Sequence, residues 1–135
     1  MIKVMIVDDQ PVVINELTHL IEDSWTARVV DTAVDGKAAI PSALKKRPDL
    51  ILLDVSLPDM NGIEIARELK SAWPEVKILA ISAYPDSLYV DSMLDAGALG
   101  YLLKDNVQDE LVNAIQSISI GKQWLGKGLN RSSET

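Results

Sequence analysis

Five short runs rich in Val, Ile and Leu recur at a steady interval, and each is followed by a stretch with apolar residues at helical spacing. The strand runs are Lys3–Val7, Arg28–Ala33, Leu50–Leu53, Lys77–Ile81 and Gly100–Leu103. The first, third and fourth are apolar at consecutive positions, as strands covered on both faces must be. Strands that alternate with helices pair in parallel through crossover connections. The pattern therefore predicts an α/β domain of (βα)5 form, with a parallel sheet between two helical layers.

Local signals bound the helices. Pro11 suits a first helical turn, and Val13, Leu17, Leu20 and Ile21 mark one apolar face. The second helix is expected over Gly36 to Lys46, with Ala39, Ile40, Ala43 and Leu44 inward. Pro41 falls inside it. An interior proline removes a backbone hydrogen bond at a cost of about 3 kcal/mol, so this helix is expected to be irregular, with a kink or a late start. Asn61-Gly62 opens the third helix and Trp73-Pro74 closes it. Asp86 caps a fourth that runs to Gly97, and Asn106 caps a fifth that ends at Gly121. Residues 1–120 make one domain. Residues 121–135 read as a tail or the start of an interdomain linker, polar and Gly/Ser-bearing from Gly126. Trp25 and Trp73 are expected to pack at the domain boundary, and Trp124 to pack on the body or meet a partner.

Composition narrows the function. With no cysteine in the chain, disulfide frameworks, thiolate metal sites and cysteine nucleophiles are excluded. Ten basic against nineteen acidic residues give residues 1–120 a formal charge of −9, and three against one give residues 121–135 +2. So acidic a body repels a phosphate backbone, and direct binding of nucleic acid is not expected. No apolar run approaches the roughly 20 residues that span a bilayer, and the first residues lack a signal-peptide layout. A cytoplasmic location is expected.

The chemistry-bearing residues gather at strand ends. In a doubly wound sheet, ligands bind beyond the carboxyl ends of the strands. Asp8 and Asp9 follow the first strand, Asp54 the third, Ser82 the fourth and Lys104 the fifth. If the first and third strands are neighbours, three carboxylates converge, and such crowding calls for a divalent cation. All-oxygen ligation favours Mg²⁺. A carboxylate beside that cation can attack phosphorus and become an acyl phosphate, while a lysine and a hydroxyl steady the phosphoryl oxygens. Each residue alone has a plainer reading: a helix cap, a loop acid, a turn hydroxyl, a surface lysine. Their joint placement favours the functional one.

These residues resemble the receiver domain of two-component response regulators. The likeness covers about residues 2–120 and rests on Asp8-Asp9, on Leu53-Asp54-Val55-Ser56-Leu57-Pro58, on the Pro58-Asp59-Met60-Asn61-Gly62 turn, on Ser82-Ala83 and on Tyr101-Leu102-Leu103-Lys104. It implies a flavodoxin-like fold with five parallel strands in the order 2-1-3-4-5 and helices on both faces. It implies Asp54 as phosphoacceptor for a sensor histidine kinase. Mg²⁺, with Mn²⁺ as a substitute, would be held by Asp9, Asp54 and the Ser56 backbone carbonyl, with Asp8 acting through water. Lys104 and Ser82 would stabilise the phosphoryl group, and Tyr101 would be a switch aromatic that turns inward with Ser82. The switched surface would be the fourth helix, fifth strand and fifth helix. Ser56 and Tyr84 are candidates for tuning the lifetime of the phosphoryl group, and ordinary loop residues are nearly as good a reading of both. Against the switch role, Tyr101 reads as a half-buried strand tyrosine.

Many receivers carry proline after the lysine, often with a cis bond; here Asp105 follows Lys104. Lys104-Asp105, with Ala114-Ile115 and Gly121-Lys122-Gln123-Trp124-Leu125, resembles the NarL/FixJ (LuxR-type) subfamily of transcription regulators. That resemblance implies a DNA-binding helix-turn-helix domain beyond this chain and a possible homodimer, through the first and fifth helices or the fourth helix, fifth strand and fifth helix. The implied chemistry is self-phosphotransfer and self-dephosphorylation rather than enzymatic turnover. His19 is the only histidine, so internal transfer through histidine is not expected. Rival readings are a stand-alone receiver acting on a protein partner, a metal-dependent aspartyl phosphatase and a flavin carrier. The phosphatase would need Asp-x-Asp after the first strand, and the flavin carrier a Ser/Thr/Gly-rich loop there.

Overall fold

Successive residues of a strand point to opposite faces of its sheet, and in this chain both faces are apolar. A computed structural model describes residues 1–132. The elements are β1 (Ile2–Val7), α1 (Pro11–Asp23), β2 (Ala27–Ala33), α2 (Gly36–Lys46), β3 (Leu50–Asp54), α3 (Gly62–Ala72), β4 (Ile78–Ser82), α4 (Ser87–Asp95), β5 (Gly100–Leu103), α5 (Val107–Ser119) and β6 (Trp124–Leu125). The sheet order is β2-β1-β3-β4-β5-β6, with every pairing parallel. The first five strands follow the expected 2-1-3-4-5 order.

Alternation along the strands builds two cores. Met5, Val7, Ile51, Leu53, Ile78 and Ala80 share one cluster with Ala39 and Ala43 of α2, Ile65 and Leu69 of α3, and Val90 and Met93 of α4. Val4, Ile6, Leu50, Leu52, Leu79 and Ile81 share the other with Leu17 and Ile21 of α1 and Leu111, Ile115 and Ile118 of α5. Helices thus cover both faces, and the central strands β3 and β4 are buried throughout. Each such side chain contributes about 1.5–3 kcal/mol, which fixes the strand ends with little freedom.

Most helix signals act as read. Pro11 begins α1, Asn61 accepts from Glu64 N at the start of α3, and Asp86 accepts from Leu88 N at the start of α4. Asn106 stands at the start of α5 but caps no amide; a 3₁₀ turn over Lys104–Asn106 feeds the helix instead. The expected irregularity at Pro41 gives neither a late start nor a break. α2 runs without interruption from Gly36, because Asp35 caps Ala38 N and Pro41 lies on the exposed side. Among the described residues no peptide bond is cis, so Lys104–Asp105 is trans.

The tryptophans divide, and part of the C-terminal segment is ordered. Trp25 does not pack: it has φ 60° and is 84% exposed, because the chain reverses there between α1 and β2. Trp73 is buried beneath the Arg47 guanidinium, 5.4 Å from its ring centroid. The five expected strands are joined, among the described residues, by a short edge strand in which Trp124 and Leu125 pair with Gly100 and Tyr101 of β5, so Trp124 packs on the body. The segment read as a tail therefore folds onto the body as far as it is described; residues 133–135 lie outside the described residues. Among the described residues no helix is long and apolar enough to cross a membrane.

Pro41→Ala restores the hydrogen bond missing inside α2. It should raise the unfolding free energy by about 1–3 kcal/mol in urea titrations; an unchanged or lower midpoint would show that the helix depends on the proline.

Candidate functional site

Parallel strands put all their carboxyl ends on one edge, and β3 lies between β1 and β4. Asp54 is the last residue of β3 and Ser82 the last of β4, while Asp8-Asp9 and Lys104 directly follow β1 and β5. The packing of both cores thus delivers these side chains to one place. The cavity at this edge, about 310 Å³, is lined by Asp9, Asp54, Ser56, Tyr84 and Lys104 among others.

Carboxylate oxygens of Asp8, Asp9 and Asp54 lie within 4.8 Å of one another. Asp8 is fully buried. Its Oδ1 accepts from Gln10 N at 2.9 Å, whereas among the described residues Oδ2 has no hydrogen bond and faces the Lys104 ammonium at 3.3 Å. Lys104 Nζ also lies 3.4 Å from Asp54 Oδ2. One cation thus faces three acids. Burial works against the Lys104 charge, but Asp54 and Asp8 outweigh it and hold its pKa above the usual lysine value. Burial, reinforced by the Asp8 charge, pushes the Asp54 carboxyl up to about 6, despite the Ser56 amide and Lys104. The crowding remains undercompensated by protein groups alone, and an orphaned buried oxygen in an all-carboxylate donor set fits a small hard dication.

The neighbours are held by a short chain of hydrogen bonds. Ser56 N donates to Asp54 Oδ1 at 3.2 Å, and its side chain is exposed. Ser82 is buried, and its Oγ accepts from Tyr84 N at 2.9 Å. Tyr84 O accepts from the Tyr101 hydroxyl at 2.8 Å. Tyr101 is fully buried rather than half-buried, and burial pushes its phenol pKa up. The Tyr84 ring faces outward, 47% exposed, stacked on Tyr89 with centroids 5.3 Å apart.

Two residues of the Pro58–Gly62 turn have contacts that the sequence reading did not foresee. Asp59 accepts from Gly36 N and Lys37 N, each at 2.9 Å. These backbone donors, Gly36 first, hold its carboxyl below the usual range. Asp59 thereby ties the loop after Asp54 to the first turn of α2, across a separation of 22–23 residues that sequence spacing does not signal. At Gly62 a Cβ would lie 2.9 Å from both Asp54 O and Val55 Cα. Only glycine lets α3 start against the end of β3, which keeps the loop tight around the acids.

The profile of the response regulator receiver domain matches residues 4–116. The chain belongs to this family. The receiver is 38% identical over 121 residues to the uncharacterized transcriptional regulatory protein YxjL of Bacillus subtilis, covering 90% of this chain and 56% of that protein. It superposes on a LuxR-family two-component response regulator from Aurantimonas sp. SI85-9A1 with a TM-score of 0.88 at 31% identity, covering 92% of this chain and 89% of the other. It superposes on the signal receiver domain of the putative response regulator NarL from Mycobacterium tuberculosis with a TM-score of 0.85 at 32% identity, covering 90% and 98%. The relatives are LuxR/NarL-type regulators, and the receiver spans a little over half the length of the curated ones it matches.

The raised Asp54 pKa has a thermodynamic consequence. Its folded value, about 6, exceeds the ordinary 3.8, so ionisation opposes folding. The penalty is absent below pH ~4, grows between ~4 and ~6 and is complete above. After allowance for solvent screening it is about 1–2 kcal/mol. Asp54→Asn should therefore melt higher than the parent receiver at pH 8 without divalent cations, and the advantage should shrink toward pH 4. Equal midpoints at pH 8 would contradict the crowding argument. Asp59→Ala should speed amide exchange at Gly36 and Lys37 selectively, as read by NMR; unchanged rates would show that the carboxylate does not hold the loop.

Proposed function

We propose that this receiver accepts a phosphoryl group on Asp54 from a sensor histidine kinase and passes the change to its α4–β5–α5 side. The observation that carries this reading is the meeting of Asp54 with Asp8, Asp9 and Lys104 at the mouth of one open cavity. Asp54 Oδ attacks the phosphorus; an O–P bond forms as the donor's P–N bond breaks, and the imidazole of the kinase leaves. Asp9 and Asp54, with the Ser56 backbone carbonyl, would hold Mg²⁺ or Mn²⁺, and Asp8 would act on it through water. When bound, the cation would supply positive charge against the acids and the incoming phosphoryl oxygens. Lys104 pairs with the phosphoryl group, and Ser82 hydrogen-bonds to it.

Ser82 and Tyr101 are the proposed switch. The Tyr84 backbone connects them, with its N–H on Ser82 Oγ and its carbonyl on the Tyr101 hydroxyl. A pull on Ser82 therefore bears on Tyr101 and on the start of α4. Tyr84 and Ser56 border the cavity, where they can govern water access and so the lifetime of the phosphoryl group.

The wider role rests on the relatives. Several are transcriptional regulators about twice as long as the matched segment. We read residues 1–120 as the receiver unit and residues 121–135 as the segment leading toward a DNA-binding helix-turn-helix partner domain, in the cytoplasm, with homodimerisation as a further step. The chemistry is transfer to and loss from Asp54 itself, without turnover of an external substrate.

A small phosphodonor such as acetyl phosphate, with Mg²⁺, should give an acid-labile adduct on the wild-type chain. Asp54→Asn or chelation of the cation should abolish it, as read by intact mass. Undiminished labelling of Asp54→Asn would overturn the assignment.

A further inference from the structure

The start of a helix leaves its first backbone N–H groups without partners inside the helix. At α2 the three that follow the cap residue are all taken, and from two different sources. Asp35, the cap residue itself, accepts from Ala38 N at 2.8 Å. Gly36 N and Lys37 N are taken instead by Asp59, whose two carboxylate oxygens accept one bond each at 2.9 Å. That acid belongs to the loop between β3 and α3. A carboxylate at this end of a helix also meets the positive end of its dipole, and its bonds to amides are charge-assisted.

The same loop carries Ser56, whose backbone carbonyl is the one proposed cation ligand that no side chain supplies. Asp54 closes β3 and Asp9 lies just beyond β1, so both are held by strands that the two cores grip. Ser56 lines the cavity but stands outside the sheet. The ends of its loop are tied locally: Ser56 N donates to Asp54 Oδ1 at 3.2 Å, and Gly62 N donates to Val55 O at 2.7 Å. The middle is tied to α2. Beside the two Asp59 bonds, Met60 lies directly on Gly36, where a Cβ would run into Met60 Cγ and Sδ. Two separate contacts thus hold residues 59 and 60 against the first turn of a helix that does not line the cavity.

We propose that Asp59 is a positioning residue for the cation. Its clasp on α2 holds the loop so that the Ser56 carbonyl is set for binding, and the clasp thereby raises the affinity for Mg²⁺. The inference rests on the reading of Asp9, Asp54 and Ser56 as cation ligands and deepens it; Asp59 itself touches neither cation nor phosphoryl group. Coupling of this kind is reciprocal, so bound Mg²⁺ tightens the clasp by the factor by which the clasp tightens Mg²⁺.

The test titrates Mg²⁺ into the chain, followed by calorimetry and by amide NMR. Asp59→Ala should raise the Mg²⁺ dissociation constant by roughly three- to tenfold, at or below the loss usual when a group behind a ligand is removed. Asp59→Asn keeps one accepting oxygen and should fall between that variant and the wild type. The shift should persist in about 0.5 M KCl, where the loss of a remote surface charge is screened. Asp35→Ala frays the same helix start without touching the loop, and should bind Mg²⁺ as the wild type does. Labelling by acetyl phosphate should need more Mg²⁺ in Asp59→Ala but reach the wild-type plateau at saturation. In the wild type, Mg²⁺ should slow amide exchange at Gly36 and Lys37; in Asp59→Ala it should not. A wild type that binds Mg²⁺ and an Asp59→Ala variant that binds it equally well would overturn the positioning role alone. So would a shift that vanishes in salt, or one that Asp35→Ala reproduces. A wild type that binds no Mg²⁺ overturns the proposed cation site, and the role of Asp59 with it.

Discussion

The Lys104 ammonium lies 3.3 Å from Asp8 Oδ2 and 3.4 Å from Asp54 Oδ2, and Asp9 stands beside them. One fixed cation for three carboxylates is a deficit, held in place by two hydrophobic cores. Every strand that supplies one of these groups is pinned by alternating side chains on both faces. Burial is what prevents the acids from moving apart, and it is also what makes their mutual repulsion costly. The rise in the Asp54 pKa to about 6 expresses that cost, which a dication would relieve.

The supporting loops serve the same deficit. Gly62 brings the start of α3 within 2.9 Å, measured to a hypothetical Cβ, of the Asp54 carbonyl. Asp59 fastens the intervening loop to the amides that open α2. A charged cap at a helix N-terminus is favourable in its own right. Here it also joins α2 to the loop that carries Ser56. On the other side, Ser82, Tyr84 and Tyr101 form one hydrogen-bonded series from the cavity wall into the core. The Tyr101 carbonyl then accepts from Gly126 N. The cavity and the C-terminal segment are therefore joined through a single strand residue.

Much of this was legible in the chain itself. The period of apolar runs fixed the number of βα units, the strand order came with the family resemblance, and the positions of Asp8, Asp9, Asp54, Ser82 and Lys104 followed from where each run stops. Pro41 did not delay the start of α2, because propensity is a local cost, and the packing of Ala39 and Ala43 with the Asp35 cap overrides it. Trp25 misled because a large aromatic was assumed to be buried, whereas it occupies a left-handed turn that projects it outward. The polar, glycine-bearing composition from Gly126 gave no sign of where that segment lies, because the partners of Trp124, Leu125 and Leu129 are met only in three dimensions.

What the sequence by itself determined is the alternation of strand and helix, and with it the gathering of acids, hydroxyl and lysine on one sheet edge. Parallel pairing leaves no other arrangement of the strand ends. The tertiary structure alone decided which oxygen of Asp8 is left without a hydrogen bond among the described residues, that Asp59 caps a helix 22–23 residues upstream, and that Trp124 and Leu125 pair with β5. Those outcomes depend on distances between groups remote in the chain, and periodicity along a sequence carries no information about them.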